Sequence, residues 1–440
     1  MEISIAEVLA ARDRRVETQR VLLDRFGGSL ICFTMNIPGP VKVSDLIRRG
    51  YEMGLSRIRA QMYGEHIPIA HFEETREPTG FTAYFSVDAP GEQVKALTVQ
   101  IEDSSPLGRL FDMDVLLPDG KKTDREQLGL GRRKCLICEQ DAAVCGRSRA
   151  HSVPELQKKV REILWDAVRE DHSRRVAEIA VKSLFYEVCT TPKAGLVDRA
   201  NSGSHKDMDI FTFADSTAAL FPYFEDCAAI GMDTAELSPK ETFARLRFPG
   251  KLAEQEMYRA TGGVNTHKGA IFSMGLACGA AGRLWEKERT PEAILAACAE
   301  MVHGVTEELR AGSGTAGKDI FRKYGVTGVR GQAEQGFPAV RDVGLPALEQ
   351  GLSQGLSLND AGCGALLALI TAAEDTNLIA RSDRETQQKV VRQISQLLKE
   401  SPYPEKEMLE QLDREFQEKN LSPGGSADLL ALCYFLHFLL

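Results

Sequence analysis

The chain has 440 residues with 43% hydrophobic content, which is more than one ordinary core needs, so two domains are expected. Its net charge is −9, and 54 basic and 63 acidic residues are mixed along the chain, which disfavours a protein that coats nucleic acid. Ten dispersed cysteines and the lack of a leader or a long apolar segment favour a cytoplasmic protein with reduced thiols and no membrane partner.

Helical and strand patterns alternate in the first part of the chain. Apolar spacing predicts a helix over Ile5–Phe26 that ends at Gly27-Gly28. The stretch "SLICFTMNI" predicts a strand, and Ser44 can cap the helix "DLIRRGYEMGLSRIRAQM". Strand patterns in "FTAYFSV" and "RLFDMDVLL" flank the helical pattern "GEQVKALTVQIED". These elements predict an α+β domain with a small mixed sheet.

From Pro154 onward the pattern becomes helical almost throughout. A 3.6-residue period, broken by Gly-rich loops, continues to the C-terminus and predicts an all-α second domain. We place the boundary between His172 and Ser173, because Ser173 could cap a new helix. The expected domains are therefore residues 1–172 and 173–440.

Two aspartates stand one residue apart in the strand "LFDMDVL". Side chains alternate across a strand, so Asp112 and Asp114 point to the same side. Bound Mg²⁺ would relieve the repulsion between the carboxylates, and phosphoryl and nucleotidyl transferases use such pairs to hold metal on phosphate oxygens. The alternative is the solvent face of a half-buried strand, the commoner fate of such a pattern.

A dense run of cations and cysteines, "RRKCLICEQDAAVCGRSRAHS", follows at residues 132–152. Arg109, Arg147 and Arg149 are candidates for binding a triphosphate, since guanidinium groups can contact phosphate through two hydrogen bonds. The set Cys135, Cys138, Cys145 and His151 has the ligand types of zinc. Its spacing is unusual, so the sequence favours small core cysteines over a zinc site.

The motifs "GRLFDMDV", "RKCLIC" and "CGRSRAHS" resemble the apo-citrate lyase phosphoribosyl-dephospho-CoA transferases over about residues 1–170. In that family a serine of an acyl carrier protein attacks the α-phosphate of triphosphoribosyl-dephospho-CoA and pyrophosphate leaves. By analogy with nucleotidyltransferases, the resemblance implies a nucleotidyltransferase-like domain. Asp112 and Asp114 would hold Mg²⁺, and Arg109, Arg147 and Arg149 would hold the triphosphate.

Five Gly-rich polar segments lie at expected helix ends in the second half. They are residues 190–213, 262–275, 323–338, 373–381 and 422–432. Any one of them is more simply read as a cap or turn. Five in one domain predict a buried polar pocket, because free N–H groups at several helix N-termini would together attract phosphate.

Two of these segments, "PKAGLVDRANSGSHKDMD" and "GVNTHKGAIFS", resemble the triphosphoribosyl-dephospho-CoA synthases over about residues 175–440. That family joins ATP to 3′-dephospho-CoA and expels adenine, so the two resemblances concern consecutive steps. This chemistry requires Mg²⁺ and cations on the phosphates, a base for the attacking hydroxyl, and polar groups at the leaving adenine.

Candidate roles in the second domain follow from residue type. Asp207 and Asp209 are candidate Mg²⁺ ligands, with a helix cap as the alternative for each. His205 and His267 are candidates for the general base or a phosphate contact, and Asp209 is placed with them in the catalytic set. The remaining candidates for ATP and substrate binding are Arg199, Asn201, Lys206, Asn265, Lys268, Arg330, Glu334, Asp375, Gly424 and Gly425.

The sequence therefore predicts a bifunctional transferase that builds the citrate lyase prosthetic group and attaches it to the apo-citrate lyase acyl carrier. One alternative is the same chemistry on a malonate decarboxylase carrier. Another makes the N-terminal half a non-catalytic docking module. A third makes the helical half a hydrolase that liberates adenine without dephospho-CoA.

Overall fold

The computed structural model describes residues 3–287, 289–310 and 316–440. The chain divides into two compact units, Met1–Glu170 and Asp171–Leu440. In the described residues, no helix is long and apolar enough to cross a membrane.

The first unit combines helices with one small sheet. Its elements are α1 (Ile5–Phe26), β1 (Ser29–Met35), α2 (Asp45–Gly64), β2 (Ile69–Glu77), β3 (Gly80–Val87), α3 (Gly91–Asp103), β4 (Phe111–Leu116), α4 (Ala142–Ser148) and the first part of α5 (Val153–Cys189). Helix α1 has the predicted bounds and ends at Gly27, whose N–H bonds to the carbonyl of Leu23. Ser44 caps α2 by accepting a hydrogen bond from the amide of Ile47, also as predicted.

The four strands lie in the order β2-β3-β1-β4, and all three strand pairs are antiparallel. The sequence predicted a mixed sheet instead. Strands β1 and β2 do run in the same direction, as their helical connection allows, but β3 lies between them, so they do not pair.

Helices cover both faces of this sheet. On one face Phe33 and Phe111 pack against Tyr51 of α2, and on the other Leu22 of α1 packs near Cys32. The sheet therefore lies between two apolar layers, and the second layer, with α1, is the smaller one.

Helix α5 is 37 residues long and continues past the boundary between the units. The predicted new helix at Ser173 is wrong, because Ser173 lies inside α5. His172 and Ser173 are 3% and 2% exposed, so the polar residues that resembled a helix start are buried by packing.

Every regular element described in the second unit is a helix, and the predicted all-α fold is confirmed. After α5 it contains α6 (Ile210–Ala219), α7 (Phe221–Asp233), α8 (Pro239–Ala260), α9 (Lys268–Arg283), α10 (Pro291–Val302), α11 (Ala316–Tyr324), α12 (Gly328–Glu334), α13 (Leu345–Ser353), α14 (Leu358–Ala372), α15 (Thr376–Arg381), α16 (Arg384–Glu400), α17 (Lys406–Glu418) and α18 (Gly424–Leu439).

Helices α9 and α18 form the centre of the second unit, and most residues of both are buried. Helix α7 approaches α9 closely: a Cβ atom on Gly282 would lie 2.0 Å from the carbonyl oxygen of Ala228. The absence of a side chain there allows the two backbones to touch. This packing fixes α9, whose first residues form part of the site described next.

Candidate active sites

A cavity of about 530 Å³ lies within the second unit. All five polar segments recognised in the sequence contribute to its wall, through residues such as Lys193, His267, Gln332, Asp375 and Gly424. The convergence expected from the sequence is therefore present. We call this space the C-terminal cavity.

Several helices begin at the wall of the C-terminal cavity. Helix α9 starts at Lys268, α12 at Gly328 and α18 at Gly424, and all three residues line the space. The first turn of a helix leaves backbone N–H groups without partners inside the helix. The cavity is therefore suited to anionic ligands such as phosphates.

His267 lies immediately before α9 and is 2% exposed. Its Nδ1 is 2.7 Å from Ser216 Oγ, which itself accepts a hydrogen bond of 2.7 Å from Thr266 Oγ1. When Ser216 donates its single proton to Nδ1, the neutral ring carries its own proton on Nε2.

The Nε2 atom of His267 has no hydrogen-bond partner among the described residues. Burial, with a smaller effect of the Lys193 charge, lowers the pKa of His267 to about 3. The ring is therefore neutral at physiological pH, and its Nε2 is a buried polar atom of a residue that lines the C-terminal cavity.

His205 is held by two neighbours at the same cavity. Arg381 Nη2 donates to His205 Nδ1 at 2.9 Å, so Nε2 carries the proton and donates to Ser422 Oγ at 2.9 Å. Burial and then the Arg381 charge lower the pKa of His205 to about 4. His205 thus remains neutral and orients Arg381, a cation that the sequence analysis missed.

A buried ion pair lies at the cavity between Lys193 and Glu187, whose side chains are 1% and 5% exposed. Lys193 Nζ also donates to the Glu187 backbone carbonyl at 2.9 Å. Burial raises the pKa of Glu187 although Lys193 opposes this change. Neither residue was predicted, because nothing in the sequence distinguishes a buried Lys-Glu pair from a solvated one.

Asp428 of α18 is a further carboxyl on the cavity wall, partly exposed to its space. Burial raises its pKa well above the ordinary value, and the charges of Glu187 and Asp375 raise it further. Such a carboxyl is a candidate for proton transfer. The sequence analysis missed Asp428, although an acid inside the apolar stretch "ADLLALCYFL" is a recognisable signal.

Asp428 also lies against the start of α9. A Cβ atom on Gly269 would be 1.9 Å from Asp428 Oδ2, so a side chain at this position would displace the Asp428 carboxylate.

Asp375 caps α15 and ties it to α18. Its Oδ1 accepts from the amides of Asn377 and Leu378, and its Oδ2 accepts from the amide and Oγ of Ser426. Burial raises the pKa of Asp375 despite these bonds. Because both oxygens are occupied, Asp375 positions the cavity wall rather than offering a free ligand.

Of the predicted residues, the C-terminal cavity is lined by His205, Asn265, His267, Lys268, Asp375, Gly424 and Gly425. The predicted residues outside its lining are Arg199, Asn201, Lys206, Asp207, Asp209, Arg330 and Glu334.

Several of the outlying residues have local structural contacts. Asp209 caps α6 by accepting from the amide of Thr212 at 2.9 Å, and Glu334 binds Thr306 and the amide of Gly304. Arg199 donates to Asn359 at 2.9 Å. The cap at Asp209 is the structural alternative that the sequence analysis gave for this residue.

In the first unit, Asp112 and Asp114 lie on the face of β4 that α1 covers, paired across the sheet with Thr34 and Cys32. Asp112 is 3.5 Å from Arg133 and Asp114 is 2.6 Å from Lys122. Their side chains are 49% and 35% exposed, so both carboxylates remain accessible to a ligand.

A second cavity, of about 330 Å³, borders Asp112 and is here called the N-terminal cavity. Helix α1 contributes Arg12 and Arg15 to its wall, and the loop after β1 contributes Lys42. Burial and the nearby Arg12 charge lower the pKa of Lys42. Cations held this close to one another favour an anionic ligand.

The predicted arginines are placed differently. Arg109 donates to the carbonyl of Cys135, and Arg147 and Arg149 lie at the end of α4 on the surface. None of the three lines the N-terminal cavity. Arg12 and Arg15 were missed, although their spacing of three residues places them on one side of a helix.

Comparison with known proteins gives a match for each unit. Residues 173–440 match the CitG family, described as ATP:dephospho-CoA triphosphoribosyl transferase, and residues 3–167 match the CitX family, described as apo-citrate lyase phosphoribosyl-dephospho-CoA transferase. Protein CitXG of Haemophilus influenzae is 35% identical over 99% of this chain and 97% of its own length. The chain belongs to the CitXG family.

Other relatives agree with this membership. Protein CitXG of Leuconostoc mesenteroides subsp. cremoris is 33% identical over 99% of this chain and 97% of its own. The 2-(5′′-triphosphoribosyl)-3′-dephosphocoenzyme-A synthase of Haemophilus ducreyi is 36% identical over 69% of this chain and 99% of its own. Since both matched families are transferases, the chain is a bifunctional transferase.

Proposed function

We propose that residues 173–440 join ATP to 3′-dephospho-CoA and release adenine. The 2′-hydroxyl oxygen of dephospho-CoA would form a bond to C1′ of the ATP ribose as the bond from C1′ to the adenine nitrogen breaks. The product is 2′-(5′′-triphosphoribosyl)-3′-dephospho-CoA. The observation that carries this proposal is His267, a buried neutral histidine whose Nε2 has no partner among the described residues, at the wall of a cavity where three helices begin.

Each reacting group has a candidate partner in the C-terminal cavity. The Nε2–H of His267 would donate to the departing adenine, whose nitrogen gains electron density as it leaves. Asp428 would accept the proton of the attacking hydroxyl, since its raised pKa makes it a stronger base than an ordinary carboxylate.

Cations and free amides would hold the triphosphate. Arg381, oriented by His205, and Lys268 at the start of α9 supply positive charge, and the amide of Gly424 at the start of α18 supplies an N–H group. Asp207 and Asp209 do not line this cavity, so we assign them no metal there.

We further propose that residues 1–172 transfer phosphoribosyl-dephospho-CoA from this product to a serine of the apo-citrate lyase acyl carrier. The serine oxygen would bond to the α-phosphorus while pyrophosphate leaves. Arg12, Arg15 and Lys42 would bind the triphosphate in the N-terminal cavity.

Asp112 and Asp114 fit a Mg²⁺ site, since both are accessible carboxylates on one face of β4 and offer the oxygen ligands that Mg²⁺ prefers. Bound there, Mg²⁺ would neutralise charge on the phosphate oxygens. Arg133 and Lys122 neutralise these carboxylates in the structure and would orient them for such a ligand.

Mass spectrometry of the products from ATP and dephospho-CoA, with and without the apo-carrier, tests the proposal. We expect adenine and triphosphoribosyl-dephospho-CoA without the carrier. With the carrier, pyrophosphate and a modified serine should follow. Adenine release that does not need dephospho-CoA would indicate a hydrolase instead. Production of the intermediate without pyrophosphate release would indicate a docking role for residues 1–172.

Parallel incubations of the protein with each apo-carrier test which carrier it modifies. We expect modification of the citrate lyase carrier in preference to the malonate decarboxylase carrier. The reverse preference would reassign the pathway while leaving the chemistry unchanged.

A further inference from the structure

The first unit contains a cluster of four candidate metal ligands: Cys135, Cys138, Cys145 and His151. Their ligand atoms all lie within 4.8 Å of one another. Cys138 Sγ is 3.4 Å from Cys145 Sγ and 3.3 Å from His151 Nε2. Bonds of about 2.3 Å to sulfur and about 2.0 Å to nitrogen place tetrahedral zinc ligands about 3.5–3.8 Å apart. The four atoms therefore fit around one ion.

The backbone holds these residues in place. An isolated bridge pairs Lys134 with Asp141, and the amide of Cys135 donates to the carbonyl of Gln140 at 2.8 Å. The loop between them carries Cys138, and Cys135 Sγ accepts a hydrogen bond from the amide of Ile137 at 3.5 Å. An amide donated to sulfur stabilises a thiolate, which is the form that binds metal.

A turn after α4 places His151, the fourth candidate ligand, beside Cys138. Helix α4 carries Cys145 and ends at Arg149, which has a left-handed conformation with φ of 49°. The amide of Ala150 then donates to the carbonyl of Cys145 at 3.2 Å, so the chain reverses and His151 reaches Cys138.

This segment has almost no apolar core of its own. Between residues 124 and 152 the buried residues are Cys135 and Cys145, whereas Ile137 and Val144 are 39% and 50% exposed. A chain segment that cannot bury enough apolar surface needs another source of stability, and a metal site is one of the common solutions.

We propose that Cys135, Cys138, Cys145 and His151 bind a structural Zn²⁺ ion. Four protein ligands leave no open position, so the ion has no direct role in the chemistry. Its role is positional: Arg109 contacts the Cys135 carbonyl, and Arg133, two residues earlier in the chain, contacts both Asp112 and Glu102. Zinc would thus fix the loop that orients the Asp112 carboxylate. This inference needs no assumption about the reaction that residues 1–172 catalyse.

Metal analysis of the full-length protein, expressed with zinc and purified without chelator, tests the site. We expect about one zinc per chain, lost in His151→Ala and retained in His151→Cys, because cysteine supplies a fourth thiolate. Cys32→Ala is the matched control, since Cys32 is a buried cysteine of β1 outside the cluster, and its zinc content should be unchanged. Cobalt substitution should give the thiolate-to-cobalt absorption of a tetrahedral site.

Two results would overturn the proposal. One is wild-type protein that contains no zinc and gives no cobalt spectrum. The other is zinc retained in both His151→Ala and Cys138→Ser. A thiol titration of the denatured, chelated protein distinguishes the main competing state. Zinc binding leaves all ten cysteines titratable, whereas a disulfide between Cys138 and Cys145 removes two thiols and contradicts the proposal.

Discussion

Ser216 Oγ lies 2.7 Å from His267 Nδ1, and a proton donated by Ser216 keeps the ring proton of neutral His267 on Nε2. That Nε2–H, which has no hydrogen-bond partner among the described residues, is the donor we assign to the leaving adenine. Because the ring stays neutral far below physiological pH, its action does not depend on being charged.

We expect His267→Ala to lower adenine release by about 100-fold, the usual cost of removing one donor to a developing negative charge. The measurement is the steady-state rate of adenine formation by chromatography. His303→Ala is the matched control, since His303 is an exposed histidine of the same unit outside the cavity. An equal loss in both variants would mean that destabilisation, not the lost donor, explains the effect.

Asp428→Asn should abolish adenine release while raising the melting temperature of the protein. The folded state holds the Asp428 proton more tightly than the unfolded chain does. Its contribution to stability is therefore present at low pH and is lost as pH rises from the unfolded pKa of 3.8 through the raised folded value. Asparagine keeps the shape without the charge, so we expect a gain of about 2–4 °C at neutral pH.

Differential scanning fluorimetry at acidic and neutral pH checks this result. The gain should shrink at acidic pH, where Asp428 is protonated in both states. Asp215→Asn, at an exposed position on α6, should change neither activity nor melting temperature. If the melting temperature of Asp428→Asn equalled that of the wild type at every pH, burial would not be destabilising the charged Asp428 carboxylate.

Arg12→Ala should reduce carrier modification by about 10- to 100-fold, the cost of one hydrogen bond to a charged group. Adenine release should be unaffected, because Arg12 belongs to the first unit. Arg20→Ala on the same helix is the control, since Arg20 pairs with Glu17 and Asp24 on the solvent side. Mass spectrometry of the carrier gives the rates. Equal effects of the two substitutions would exclude the N-terminal cavity as the triphosphate site.

Asp112→Asn should abolish carrier modification and leave adenine release intact. The reason is the loss of a carboxylate that we assign to Mg²⁺, in a unit separate from the C-terminal cavity. Pyrophosphate release is the measurement, made with ready-made triphosphoribosyl-dephospho-CoA as substrate. Loss of both activities would contradict two independent sites.

Local signals made much of the fold predictable. The apolar spacing of α1, its end at Gly27 and the Ser44 cap are short-range features that a sequence displays directly. Strand β2 was missed because it is an edge strand with charged residues and no fully buried position, so its alternation is weak. Ser173 gave a false helix start because tertiary packing, which the sequence does not display, buries it inside α5.

Part of each candidate site could also be predicted from local features of the sequence. The five polar segments could be recognised because Gly and polar residues at helix ends are visible in a sequence. Glu187 and Lys193 could not be recognised, because their importance depends on burial at the cavity. Asp209 shows the converse: a short polar residue before a helix looks the same whether it binds metal or caps the helix.

A substitution at Gly269 would change where the Asp428 carboxylate lies without removing its charge. Since a Cβ atom at residue 269 would overlap Asp428 Oδ2, a single methyl group there would displace the carboxylate while leaving every ionisable group in the chain. Asp428→Asn does the opposite, as it removes the charge and keeps the shape. Comparing the two variants would separate the geometric requirement of this chemistry from its electrostatic one.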